Sequence, residues 1–114
     1  MNAEIRSHDG ISYLYVDYRG ALTNEDLLSV LNMGIELQKA NPGTTRLLSI
    51  FIGTRLSPEF IQKVQALGED PNFKVALVGI AGIAKFQVYD IDSATKYDAK
   101  LFGNEVEALE WLLL

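Results

Sequence analysis

Two short runs constrain the fold more than anything else in the chain. Arg46 to Ile52 and Phe73 to Gly79 carry apolar residues at consecutive positions rather than alternate ones. In the first, Leu48, Ile50 and Ile52 fall on one face of a strand, Leu47 and Phe51 on the other. A strand apolar on both faces has to be covered on both, which places it in the middle of a sheet layered by helices. Between the runs, Ser57-Pro58-Glu59 sets a cap residue, a proline at the first helical position and then an acid. Phe60, Ile61, Val64 and Leu67 follow as one helical stripe, ended by Gly68 and Glu69-Asp70-Pro71-Asn72. A strand, a helix and a strand in this order make a right-handed crossover and a parallel pair.

The flanking segments extend the pattern. Ala3 to Ser7 and the alternating run Ile11 to Tyr18 are joined by the turn signal His8-Asp9-Gly10, which predicts a β-hairpin. Thr23 opens a helix that runs to Ala40, with Glu25 and Asp26 in its first turn and Asn41-Pro42-Gly43 as its stop. Two apolar stripes lie side by side on it: Leu27, Leu28, Leu31 and Ile35 in one, Val30, Met33 and Leu37 in the other. One stripe covers a sheet, so the second is expected to meet another helix or a partner chain. Ile83 to Thr95 is expected to be a helix; its dense β-branched and aromatic residues also fit an irregular strand. Lys100 to Phe102 is a short strand. Asn104 with Glu107 starts a last helix, expected to turn Val106, Leu109, Leu112 and Leu113 inward, with Ala108 and Trp111 at the edge. The expected order is ββαβαβαβα: one α/β domain over residues 1–114, with a mixed, mostly parallel central sheet and helices packed on it.

Composition narrows the function classes. A chain of 114 residues without cysteine excludes structural disulfides, thiolate catalysis and cysteine zinc sites. The net charge of −5, with Arg46, Arg55, Lys63 and Lys74 scattered, argues against nucleic-acid binding. The first residues, MNAEIRSHDG, contain no apolar signal region, and no apolar run approaches the length of a membrane span. The expectation is a cytoplasmic domain.

The segment FKVALVGIAG, with KLFGNEVEALEWL at the end of the chain, resembles the SpoIIAA-like branch of the STAS fold, and the resemblance runs over nearly the whole chain. It implies an α/β regulatory domain that binds a protein partner through the loop and helix after the middle strand. The better-known members carry an Asp-Ser-Ser-Gly-like signature there, with a serine phosphorylated as a switch. This chain has Ile52-Gly53-Thr54-Arg55-Leu56-Ser57, so the Asp-Ser pair is absent and Thr54 and Ser57 are the only hydroxyls in the switch position.

Each candidate site has a plain structural reading beside it. A phosphate on Ser57 would sit at a helix N-terminus; as a plain N-cap, Ser57 contributes about 1 kcal/mol. Thr54 has no evident capping role. Gly79-Ile80-Ala81-Gly82, between a strand and a helix and grouped with Gly53 as a candidate ligand site, is a turn that presents N–H groups to an anion or small ligand, or simply a tight turn. It is neither a P-loop nor GxGxxG. Asp90 and Asp92 lie two apart and face different ways on a helix, so no metal site is expected. His8 sits beside Asp9 in a hairpin turn, far from the strand ends where α/β sites form. Tyr13 and Tyr15, with Phe86 and Tyr89, either line a pocket or pack under a helix. With no catalytic constellation and no cofactor signal, the expectation is a non-catalytic interaction or regulatory module with a protein partner. Homodimerisation is expected through Val30, Met33 and Leu37. The alternative is a carrier or sensor of a small apolar or anionic ligand held between the 53–57 and 79–83 turns.

Overall fold

The structure is a computed structural model and describes residues 1–67, 73–80 and 98–114. Its first element is a hairpin. Asp9 and Gly10 take φ of 51° and 81°, the two positive values of a type I′ turn, whose twist matches that of the strands it joins. The turn folds β1 (Asn2–His8) onto β2 (Ile11–Asp17), with His8 opposite Ile11 and Asn2 opposite Asp17. Next come α1 (Asn24–Ala40), β3 (Arg46–Ile50), α2 (Pro58–Leu67), β4 (Lys74–Val78), β5 (Asp98–Phe102) and α3 (Glu105–Leu112). The helix expected at 83–95 lies outside the described residues.

The described strands form one sheet in the order β1-β2-β3-β4-β5, antiparallel at the hairpin and parallel from β2 onward. One row of register partners runs Tyr15, Leu48, Ala76, Lys100. The two middle strands are buried on both faces, as their double-sided apolar pattern demands. Leu14, Val16, Val75 and Leu77 pack with Leu27 and Val30 of α1 and Phe60 and Ile61 of α2. On the other face, Tyr13, Tyr15, Leu48, Ile50, Ala76 and Val78 lie under Ala108 and Leu112 of α3. Tyr13 and Tyr15 are thus core residues beneath a helix. The aromatic partners expected for them, Phe86 and Tyr89, lie outside the described residues.

Three expectations about facing are corrected. Val30 is buried and unavailable to a partner chain. The cause is Gly34: a Cβ there would meet Val16 Cγ2 at 3.2 Å, so α1 lies close on β2 and presses Leu27 and Val30 into the sheet together. Leu37 is partly buried against the same cluster, while Met33 stays 43% exposed. Ile52 does not continue the β3 face; the strand ends at Ile50, and Ile52 turns outward, 47% exposed. In α3, Ala108 and Leu112 are fully buried and Val106 is exposed. Two cations from the sheet hold that helix at its end: Lys74 Nζ donates to the Trp111 carbonyl (2.6 Å) and Arg46 Nε to the Leu112 carbonyl (3.0 Å). No described helix is long and apolar enough to cross a membrane.

Candidate functional site

Because β2 to β5 run parallel, their C-terminal ends form one rim, the end of an α/β sheet where sites are usually built. Backbone bonds carry the ladder past the strands to that rim: Tyr18 N to Ile50 O (2.9 Å), Phe51 N to Val78 O (2.8 Å) and Gly79 N to Phe102 O (3.0 Å). The rim gathers the β2–α1 connection, the β3–α2 connection and the turn after β4. Thr54, Ser57, Gly53 and Gly79, expected as site residues, all lie on it.

The β3–α2 connection starts with a turn closed by Thr54 N to Phe51 O (2.8 Å). Gly53, at φ 73°, takes its third position, as a type II turn requires. The Thr54 hydroxyl donates to the Tyr18 carbonyl at 3.1 Å and so ties this connection to the previous one. Thr54, which has no capping role, is thus engaged in structure. The Ser57 oxygen accepts the Phe60 N–H at 3.0 Å, the bond of an N-cap. Its hydroxyl donates to Asn24 Oδ1, and Asn24 Nδ2 donates to Glu59 Oε2 at 2.6 Å. Asn24, which no local signal marked, thus clasps the starts of α1 and α2.

The turn after β4 does not offer an anion cradle at Gly79. Its N–H is bonded to Phe102, and the space beside its Cα is filled by Ile52: a Cβ on Gly79 would stand 2.9 Å from both Cα and N of Ile52. Glycine at φ 82° is required there by this close approach. Ala81 and Gly82, expected to complete the ligand turn, and Asp90 and Asp92 lie outside the described residues. His8 is an exposed neighbour of Asp9 (3.4 Å) at the hairpin turn, away from the rim.

Beneath the rim lies an aromatic floor. The Tyr18 and Phe51 rings stack at 4.5 Å, and Phe60 meets both edge-on at 5.3 and 6.0 Å. Burial pushes the Tyr18 hydroxyl well above the usual tyrosine range, so it stays protonated. The β2–α1 connection is equally tied down. Burial works to raise the Asp17 carboxyl, but hydrogen bonds from the Arg19 side chain and backbone, each 2.9 Å, outweigh it and hold Asp17 below the usual carboxylate range. Asp26 accepts the Leu22 and Thr23 N–H groups (3.0 and 3.3 Å), which keep it low as well, and Thr23 Oγ1 accepts the Asp26 N–H (3.0 Å) in a full capping box.

Among exposed polar residues such as Arg19 and Arg55, this fixed rim also exposes large apolar side chains. Leu22 occupies the position before the N-cap, where a hydrophobic staple would pack it on Leu27. Leu27 is buried in the core, yet Leu22 is 91% exposed. Ile52 stands on the adjacent turn, and Met1 joins the same end, half-exposed, with its amino group donating to the Arg19 carbonyl (3.1 Å). Leu22 and Met1 were not singled out from the sequence; the unused staple is visible only once α1 is docked.

An antiparallel hairpin feeding a parallel sheet, with α1 and α2 on one face and α3 on the other, is a SpoIIAA-like fold. The chain is similar to the crystal structure of an uncharacterised protein of the DUF3478 family with a SpoIIAA-like fold from Shewanella loihica PV-4. The two share 24% identity over 96% of this chain and 91% of that one, with a TM-score of 0.65, a likeness that shows the fold. No family model matches the chain, and no curated protein matches it significantly.

Proposed function

We propose that the chain is a non-catalytic interaction module that docks a partner protein on the rim formed by the β2–α1 and β3–α2 connections. The observation that carries this reading is Leu22, a large apolar side chain 91% exposed on a backbone held rigid by the Asp26 capping box. Exposed leucine alone is common. Here Ile52 and Met1 share its end of the sheet, and protein interfaces centre on apolar anchors of this kind with a polar surround. The Thr54 and Ser57 hydroxyls are engaged in a turn tie and an N-cap, which favours contact over chemistry. The Ile52 side chain closes the space beside Gly79, which disfavours a ligand carried between the 53–57 and 79 turns.

Photo-crosslinking in the native host tests the reading. A photoreactive residue at position 22 or 52 is expected to trap one discrete protein, and the same residue at exposed Lys39, at the far end of α1, is expected to trap none. Equal labelling from all three positions, or none from the rim, contradicts it.

A further inference from the structure

The outer edge of β1 follows from the hairpin. A two-residue turn is closed by the Ile11 N–H on the His8 carbonyl, which makes His8 and Ile11 a hydrogen-bonded pair. Alternation along an antiparallel ladder then assigns Arg6 with Tyr13, Glu4 with Tyr15 and Asn2 with Asp17 to the same kind. The bond from Tyr18 N to Ile50 O gives the same parity from the other side of β2. The peptide groups of Ala3, Ile5 and Ser7 therefore point away from the sheet. Among the described residues, β1 pairs with β2 alone. Its seven residues contain no proline, and its register runs without a bulge, so two of the devices that blunt an edge strand are missing.

We propose that this edge pairs with a second copy of the chain, β1 against β1, antiparallel and centred on Ile5. The strand is self-complementary in that register alone. Outward-facing residues must pair with outward-facing residues, so Ile5 meets Ile5 and Ala3 meets Ser7. Glu4 then stands opposite Arg6 of the second copy, and Arg6 opposite its Glu4. These are the non-hydrogen-bonded positions of the new ladder, where facing side chains come closest. Moving the centre one residue either way sets Glu4 against Glu4 or Arg6 against Arg6, and like charges directly opposite destabilise a ladder. Within one chain, half-exposed Arg6 and Glu4 already bond through Nε and Oε1 at 2.6 Å. Pairing closes them into a ring of two acids and two bases about the dyad, the symmetry expected of an isologous dimer.

Helix α1 gives a second, independent reason. Asn24, bonded to Ser57 and Glu59, marks the side of α1 turned toward α2. At roughly 100° per residue, Met33 and Leu37 fall on the opposite side, toward β1. Exposed Met33 and partly buried Leu37 thus border the open edge, where the second copy's α1 covers them.

Sedimentation velocity of the purified chain and four samples tests this. The wild type is expected to dimerise with rising concentration. Glu4→Arg and Arg6→Glu are each expected to weaken self-association about tenfold or more, since each sets two like-charge pairs across the dyad. An equimolar mixture of the two single variants is expected to dimerise again, because the two like charges of one then face the two opposite charges of the other. Ser7→Pro removes an outward N–H without touching the β1–β2 bonds and is expected to be monomeric with an unchanged thermal melt. A wild type that stays monomeric at millimolar concentration overturns the proposal. So does a dimer indifferent to Glu4→Arg and Ser7→Pro, or a mixture of the single variants that fails to associate.

Discussion

The backbone of Ile52 occupies the place a side chain on Gly79 would need, with Ile52 Cα and N both 2.9 Å from where a Cβ would stand. Gly79 also holds φ at 82°. Gly79→Ala therefore meets both left-handed strain and a clash with main chain that cannot swing aside. It is expected to destabilise by about 3 kcal/mol or more in urea unfolding. Gly53→Ala has the same sign of φ (73°) but open space around it, so its cost is expected to stay at about 1–2 kcal/mol. Equal losses at the two glycines would show that Ile52 does not press on Gly79.

The hydroxyls at the rim are predicted to act through stability. Ser57→Ala removes the cap of α2 and the clasp on Asn24, at about 1–2 kcal/mol. Thr54→Val removes the tie to Tyr18, at about 1 kcal/mol. Chemical denaturation measures both, and two unchanged midpoints would refute these roles.

Helix α3 has no basic residue in its last turn; the sheet supplies the cations instead. Lys74 bonds the Trp111 carbonyl and also stands 4.4 Å from the centre of the indole ring. Lys74→Met keeps the apolar stem and loses the charge. It is expected to cost about 1–2 kcal/mol and to shift the emission of Trp111, the only tryptophan, in a fluorescence spectrum. A spectrum and midpoint identical to wild type would place Lys74 away from the helix end.

Acid sensitivity follows from Asp17. Its folded pKa lies below the ordinary value, so its pairing with Arg19 contributes stability that is fully present above about pH 3.9, the unfolded value. That contribution is lost as pH falls through the lower, folded value. Asp17→Asn is expected to reduce stability at neutral pH and to flatten the acid limb of a stability–pH curve measured by thermal melts. An acid limb as steep as wild type would assign that limb to other carboxylates.

The architecture was legible in the chain where a local pattern forced one answer. The double-sided runs around Leu48 and Val75 demanded central strands, and Thr23, Ser57 and Asn104 announced three helix starts that the structure confirms by their bonds to Asp26, Phe60 and Glu107. What escaped depended on contacts with no local trace. Val30 looked like surplus apolar surface because helical phase shows a stripe but not how near a helix lies; Gly34 against Val16 decides that. Asn24 clasps residues more than 30 positions away, and Lys74 reaches Trp111 across 37. Leu22 was invisible as an anchor because a residue before an N-cap ordinarily packs on its own helix.

The most direct test is the affinity of the protein trapped from position 22 for the purified chain, by titration calorimetry. Leu22→Asp changes a side chain almost wholly in solvent, so the fold is expected to melt as wild type. Binding is expected to fall about thirtyfold or more, the loss of a central interface anchor, with Lys39→Asp unchanged. Undiminished binding by Leu22→Asp would contradict the rim as the docking surface.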